Sequence, residues 1–397
     1  MSTSSSAYDY STRDLFESAH TDFRQSVREF VRRHVKPHIE RWEIDKIVDR
    51  ETWLELGKQG LLGIEIDDSL GGGGSEDFRY RVVIHEELAM VGAGSLVAGL
   101  SVHDDIALHY LADLGTEMQR KRLVPASCAG EKIGAIAMTE PGAGSDLQGI
   151  RTSAVRDGDD WILNGSKTFI TNGIRADWVI VVARTDPNAG GRGLTLFLVE
   201  TGVEGFTRGR QLEKIGLHGQ DTAELFFSDV HLTDADILGT EGEGFFHLMN
   251  QLPRERMSAA VSAICAARAA LKWTIDYTGE RKVFGRPVSD LQNTRFVLAE
   301  LDADLRVGEA YLDACVHRLN AGTLTTADAA RAKMWSTEMQ VRTVDKCVQL
   351  HGGYGYMREY PIARAYVDAR IQTIYGGSTE IMKVIIARDL LGKESGS

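Results

Sequence analysis

The sequence predicts an α+β protein made of three successive parts: an N-terminal helical domain, a middle β-domain and a C-terminal four-helix bundle. Apolar residues recur every three or four positions in the first third of the chain, alternate in short runs in the middle, and return to helical spacing after residue 243. With 397 residues, 43% of them apolar, the chain is long enough to bury a core in each part. We place the domains at 1–129, 130–242 and 243–397.

The N-terminal part reads as a set of amphipathic helices. Phe23, Val27 and Phe30 follow helical spacing, and Thr21 is a plausible N-cap ahead of them. The run Gly71–Gly74 predicts a loop, because so many glycines cost too much backbone entropy inside an element. Further helices are predicted over residues 51–60, 76–93 and 104–128.

The middle part changes to short β-strands from about Gly134. The segments GAIAMTE and TSAVRDGDDWILNGSKTFITNG read as strands separated by Asp-Gly and Asn-Gly turns. WVIVVART, LTLFLVE and AELFFSDV continue the pattern. We expect a β-sandwich or barrel over about 130–240.

The last part returns to long helices, helped by alanine-rich runs such as AICAARAAL. They are predicted over 245–279, 289–320, 324–351 and 378–391. Pro253 lies inside the first of them. Since proline removes a backbone donor, it predicts a kink or a new helix just before Arg254.

Composition narrows the class of protein. The net charge of −12 disfavours a nucleic-acid-binding surface. Four scattered cysteines without a CxxC pair fit neither a disulfide framework nor a metal site, and indicate a reducing compartment. The first residues lack a signal-peptide pattern. The apolar stretch Leu88–Val102 is too short for a membrane span. We therefore expect a cytoplasmic protein.

Two glycine-rich segments stand out. In AMTEPGAGSD, Gly142 and Gly144 are followed by Leu147 rather than a third glycine, so the dinucleotide-binding fingerprint fails. In QLHGGYGYMREYPIARAYVD, Gly352 and Gly353 can end a helix and offer bare backbone N–H groups to a phosphate. Taken singly, the first is compatible with an ordinary turn and the second with an ordinary helix cap.

Taken together, AMTEPGAGSDLQG and QLHGGYGYMREYPIARAYVD resemble the two signature motifs of the acyl-CoA dehydrogenase family, in the right order and separation. The segments KTFITNG, KIGLHGQDTAELFFSDV, GERKVFG and IYGGSTEIMKVIIAR extend the resemblance over nearly the whole chain, which looks most similar to the long-chain branch. The resemblance implies an acyl-CoA substrate, FAD as cofactor and electron-transferring flavoprotein as acceptor. It also implies at least a dimer, and usually a homotetramer, because a neighbouring subunit binds part of the FAD.

The resemblance assigns roles residue by residue. Residues matching the cofactor site are Met138, Thr139, Phe169, Thr171, Arg281, Phe284, Gln292, Gln349, Gly353, Ser378 and Glu380. Of these, Arg281, Phe284, Gln292, Gln349 and Gly353 are those expected to reach the FAD of the neighbouring subunit. Residues matching the acyl-CoA side are Ser145, Arg256, Tyr375, Gly377 and Arg388. Arg388 also fits a cation favoured by the dipole at a helix C-terminus.

The implied reaction needs a carboxylate that removes the α-proton of the thioester. Much of the family carries that glutamate in a Tyr-Glu-Gly segment, but this sequence has Gly376 there. Glu255 matches the helix position from which the long-chain and isovaleryl branches supply theirs. Composition alone favours a solvated carboxylate between two arginines, whereas the absence of a carboxylate at position 376 favours Glu255 as the base. Glu380 is the rival base, although we place it on the cofactor side.

The expected function is therefore FAD-dependent α,β-dehydrogenation of an acyl-CoA, with Glu255 as base and hydride passing to flavin N5. Three alternatives stay open at this stage: a dehydrogenase of acyl groups bound to a carrier protein, a flavin oxidase or monooxygenase of the same fold, and a DNA-binding flavoprotein. The acidic charge balance disfavours the last of them.

Overall fold

The structure, a computed structural model, describes residues 13–392. The prediction that no signal peptide is present concerns residues 1–12, which lie outside that range. The N-terminal helices are Ser18–Phe30 (α1), Ile39–Asp45 (α2), Arg50–Lys58 (α3), Arg79–Met90 (α4), Gly94–Leu100 (α5), Leu108–Leu114 (α6) and Glu117–Cys128 (α7).

Two details of this region differ from the prediction. Helix α1 begins one turn before Thr21, because Glu17 and His20 cap its first turn reciprocally. The helix predicted over 104–128 is divided: a π-helical turn, Ser101–Ala107, precedes α6, and Thr116 starts α7 with a capping box.

The middle strands are Gly134–Ala137 (β1), Ser153–Asp157 (β2), Asp160–Thr171 (β3), Trp178–Arg184 (β4), Leu194–Glu200 (β5), Phe206–Gln211 (β6), Thr222–Thr233 (β7) and Ile237–Leu238 (β8). They form one hydrogen-bonded sheet in the order β6-β7-β3-β2-β4-β5-β8, with β1 parallel to β4. The predicted Asn164-Gly165 turn is wrong. Both residues lie inside β3, at a bulge where a Cβ on Gly165 would collide with Thr152.

Both faces of the sheet are covered. On β4, Trp178, Ile180 and Val182 pack against the N-terminal helices, whereas Val179 and Val181 enter an apolar cluster that collects side chains from β1 to β7. This alternation is the two-residue period of a strand. Instead of a sandwich of separately hydrogen-bonded sheets, the strands thus form one continuous sheet with a shared core on one face and helices on the other.

The C-terminal helices are Gly244–Glu280 (α8), Gln292–Asn320 (α9), Thr326–His351 (α10), Pro361–Ala369 (α11) and Thr379–Leu391 (α12), with a short hairpin, Lys282–Val283 (β9) and Arg286–Pro287 (β10), between α8 and α9. Helix α10 contacts α8, α9 and α12, which makes the predicted bundle. The expectation of a new helix at Pro253 is wrong, because α8 continues through it without a break. The division at 129/130 and 242/243 remains our proposal.

Candidate active site

Glu255 is a buried carboxylate in the middle of α8. Glu255 is only 6% exposed, because α8 is covered here by its neighbours. Helices α4 and α10 and the π-helical turn before α6 all pack against α8. The neighbouring Arg254 turns away to an ion pair with Glu65. The alternative of a solvated carboxylate between two arginines is therefore wrong.

The carboxylate of Glu255 accepts a hydrogen bond from the hydroxyl of Tyr110. Tyr110 on α6 is fully buried and donates its hydroxyl proton to Glu255 Oε1 over 2.8 Å. The sequence analysis missed Tyr110, although a tyrosine among the apolar residues of α6 needs a hydrogen-bond partner once it is buried. Nothing in the sequence says which partner, since 145 residues separate the two side chains.

Burial raises the pKa of Glu255 to about 7, against the opposing effects of the Tyr110 hydrogen bond and the Arg256 charge. Desolvation disfavours the charged form, and here it outweighs both groups that favour that form. A carboxylate with a pKa near neutrality is a suitable general base at physiological pH. The pKa is already raised before any substrate excludes water, which the sequence did not reveal.

Two buried cations lie near the base. Lys333 on α10 donates to the carbonyl oxygen of Gly377 over 2.6 Å. Burial, together with the charge of Arg256, lowers the pKa of Lys333 to about 8. Arg256 is 4% exposed, and its Nε has no hydrogen-bond partner among residues 13–392. Of the predicted substrate residues, Arg256 therefore lies next to Glu255 in the chain, and Gly377 is held by Lys333.

The backbone conformation at Gly376 is one that favours glycine. Its φ of +63° is strained for any other residue, and a Cβ built there would meet nothing within 4 Å. Tyr375, the residue before it, lines a cavity that encloses about 650 Å³, part of it open to solvent. Apolar or small residues from α4, α5 and α8 form much of that wall, among them Ala89, Val97, Ala98, Ala266 and Trp273.

The predicted flavin-ring residues come together at one end of the sheet. The carbonyl oxygen of Thr139 accepts from the Thr168 N–H over 2.9 Å, and that of Met138 accepts from Lys167 over 3.1 Å. A bulge in β3 follows, where Phe169 has a φ of +60° and leaves 68% of its side chain exposed. Thr171 ends the same strand.

This end of the sheet fits a flavin. A strained backbone that presents a large apolar ring to solvent costs free energy in the isolated chain, and such strain is concentrated at ligand sites. The exposed ring of Phe169 offers a stacking wall, while Thr139 and Thr171 offer the few polar groups that a flavin requires.

The second predicted FAD set lies elsewhere. Arg281 and Phe284 follow the C-terminal end of α8, Gln292 begins α9, and Gln349 and Gly353 lie at the end of α10. The Tyr277 hydroxyl joins two of these helix ends by donating to the carbonyl oxygen of His351 over 3.1 Å. Phe284 is 95% exposed. Arg281 is about 39 Å along α8 from Glu255, at 1.5 Å per residue, so it lies far from the base of its own chain.

The remaining predicted residues are spread along the surface. Ser145 lies exposed in the turn after β1, and Arg388 lies exposed in the last turn of α12, where both of its interpretations stay open. Ser378 caps the start of α12. Glu380 is exposed, and hydrogen bonds from its own backbone N–H and from Ser378 lower its pKa. Its exposure and lowered pKa make Glu380 a poor base.

Two kinds of site are absent from residues 13–392. No helix in that range is long and apolar enough to cross a membrane. No group of three or more His, Cys, Asp or Glu side chains there is arranged to hold a metal ion. The four cysteines are free and buried.

Comparison with known proteins matches most of the described chain. Three family models match in succession: the acyl-CoA dehydrogenase N-terminal domain at 17–131, middle domain at 135–230 and C-terminal domain at 242–391. The long-chain specific acyl-CoA dehydrogenase of Sus scrofa mitochondria is 50% identical over 96% of this chain and 89% of its own.

Two solved structures illustrate the likeness in three dimensions. Glutaryl-CoA dehydrogenase from Mycobacterium smegmatis, in complex with FADH2, has a TM-score of 0.90 at 30% identity, over 96% of this chain and 97% of its own. A chain in a structure described as the electron transferring flavoprotein of Acidaminococcus fermentans has a TM-score of 0.90 at 33% identity, over 95% and 99%. The predicted family, fold class, FAD-dependent acyl-CoA dehydrogenation and cofactor are confirmed.

Proposed function

We propose that this chain, which belongs to the acyl-CoA dehydrogenase family, uses Glu255 to remove the α-proton of its acyl-CoA substrate. One observation carries the proposal: Glu255 is a fully buried carboxylate with a pKa of about 7, held by the Tyr110 hydroxyl. Position 376 carries no carboxylate, and Glu380 is exposed with a lowered pKa.

The reaction takes two hydrogens from the acyl chain. The Glu255 carboxylate accepts the α-proton while the β-hydrogen leaves with its electron pair, so that a trans double bond forms between the α- and β-carbons. FAD, when bound, supplies the acceptor for that hydride, and Met138, Thr139, Phe169 and Thr171 would hold its ring.

The surrounding residues position the base. The Tyr110 hydroxyl fixes one oxygen of Glu255 and stabilises its charged form, because it donates to the ionised carboxylate. Lys333 holds the Gly377 carbonyl and thereby the segment Tyr375–Gly377. Arg256, buried without a partner for its Nε within the described range, is available to a polar group of the substrate.

We further propose long-chain acyl groups as the substrate class. On α8 the cavity next to Tyr375 is lined by Ser262, Ala266 and Trp273, which gives it a length of about 16 Å along that helix. A tunnel of that length suits a long chain, and the Sus scrofa relative is named for long-chain substrates.

The FAD site is proposed to be completed by a second copy of the chain, in a homotetramer or at least a dimer. The distance of about 39 Å along α8 between Glu255 and Arg281 supports this, as do the exposed apolar side chains Phe284, Phe296 and Tyr356. Electron-transferring flavoprotein as the acceptor and a cytoplasmic location also remain proposals. The mammalian relatives are mitochondrial.

The test is anaerobic titration of the FAD-loaded protein with short, long and branched acyl-CoAs, while flavin bleaching is followed. We expect the wild type to bleach with long chains, Glu255→Gln to bind them without bleaching, and the matched control Glu117→Gln, at an exposed carboxylate on α7, to bleach as the wild type does. Bleaching of Glu255→Gln at the wild-type rate would reject Glu255 as the base. Failure of every thioester to bleach the wild type would reject the proposed reaction.

A further inference from the structure

The acyl cavity is not uniformly apolar. Two turns along α8 from Glu255, its wall carries Ser262, and His85 on α4 lies next to it, with Ser262 Oγ 3.0 Å from His85 Nδ1. The amide side chains of Gln340 on α10 and Gln372, just after α11, line the same cavity. We call these four residues the polar wall.

The polar wall is built into the core. His85 Nε2 lies 3.6 Å from a carboxylate oxygen of Asp105, and Asp105 pairs with the buried guanidinium of Arg81 over 2.8 Å. Ser262 also donates to the carbonyl oxygen of Ser258 over 2.9 Å. These contacts orient Ser262 and His85, so the hydroxyl and the ring keep fixed positions at the cavity.

The two glutamines are not satisfied by the protein. Gln340 is 3% exposed and Gln372 is 9% exposed, and the side-chain oxygen of each lacks a hydrogen-bond partner among residues 13–392. A buried amide oxygen without a partner is costly, so such groups in native proteins usually meet a ligand, a water molecule or another polar group. An amide both donates and accepts, as an alcohol hydroxyl does.

The helical rise gives the distance between Glu255 and the polar wall. Ser262 follows Glu255 by seven residues on α8, and Gln340 follows Lys333 by seven residues on α10, which places both about 10 Å from the level of the base. An extended backbone advances about 3.5 Å over three bonds, so about 10 Å corresponds to about eight bonds of an extended acyl chain.

We propose that the polar wall is a subsite for acyl chains that carry a hydroxyl group about eight bonds beyond the α-carbon. This inference rests on the proposed function, since it takes the cavity beside Tyr375 as the acyl site. The hydroxyl donates to one glutamine oxygen and accepts from the amide N–H of the other. An unsubstituted chain leaves these groups unpaired, and a site built to bind a hydroxyl discriminates against the analogue that lacks it.

The test compares dodecanoyl-CoA with hydroxydodecanoyl-CoAs whose hydroxyl is moved along the chain. The dissociation constants are measured by calorimetry on FAD-loaded Glu255→Gln protein, which binds without turnover. We expect binding to be about tenfold tighter when the hydroxyl lies near carbon 10, with a smaller gain at other positions, as one hydrogen bond between buried groups predicts.

Gln340→Met and Gln372→Met, each added to Glu255→Gln, keep the side-chain length and remove the amide. We expect each to lose that preference and to bind the plain chain at least as tightly. Val97→Ala, on the apolar wall, is the matched control and should change both affinities by the same factor.

Several results would overturn the proposal. One is equal or weaker binding of every hydroxylated chain, and another is a preference that survives both glutamine substitutions. A third is a preference for a terminal carboxylate that disappears in Arg364→Met, because Arg364 also lines the cavity. The outcome is independent of the base assignment once the bound FAD is reduced before calorimetry, since a reduced flavin cannot accept a hydride: if Glu255→Gln bleaches the oxidised flavin, the proposed function fails, while the affinities still decide the polar wall.

Discussion

Replacing Glu255 by glutamine should stabilise the protein in a pH-dependent way. Burial raises the pKa of this carboxyl from 4.5 to about 7. Between those values the native state binds more protons than the unfolded chain, so the free energy of unfolding falls as pH rises. A shift of about 2.5 units at about 1.4 kcal/mol each amounts to about 3 kcal/mol, lost in full above the folded pKa.

Glutamine is neutral at every pH and still accepts the Tyr110 hydroxyl proton. Glu255→Gln should therefore gain up to about 3 kcal/mol over the wild type at pH 8, and almost nothing below pH 4.5. The measurement is denaturant unfolding of both FAD-loaded proteins at several pH values and one protein concentration.

The result that refutes the reasoning is a difference between the two proteins that does not grow with pH, or a variant that is less stable at pH 8. Glu380→Gln is the control. Because its pKa is lowered rather than raised, removing that charge should bring no gain at high pH.

Three further predictions follow from the site. Tyr110→Phe removes a hydrogen bond to a charged group, worth about 1.5–3 kcal/mol. The acidic limb of the pH profile of kcat/KM should therefore move up by about one to two pH units. An unchanged profile would show that the hydroxyl does not stabilise the charged base. Phe169→Ala and Arg281→Ala should each lose FAD when expressed alone, whereas co-expression should restore up to half of the sites, measured as bound flavin absorbance; no recovery would contradict a site shared between copies. Gly376→Ala places a side chain at a φ of +63° and should destabilise the protein by about 1–2 kcal/mol, seen in its unfolding midpoint, without a packing clash.

The order of the elements was predictable because it depends on local pattern. The helical spacing of the first third, the short apolar runs of β4 and β5 and the alanine-rich runs of α8 and α10 all reappear in the structure. The errors arose where tertiary context overrides a local signal. Asn164-Gly165 is a typical turn pair, yet it lies inside β3, where Thr152 packs against Gly165. Pro253 predicts a break, yet α8 continues through it.

The sequence by itself determined the family, the three-part architecture and the short set of carboxylates from which the base must come, because motifs and periodicity are properties of neighbouring residues. Only the tertiary structure distinguishes Glu255 from the other candidate carboxylates. Burial, the hydrogen bond from Tyr110 and the raised pKa of Glu255 depend on α6, α8 and α10 packing together, and those helices are far apart in the chain. The polar wall has the same origin, since His85, Ser262, Gln340 and Gln372 meet only across four separate segments of the folded chain.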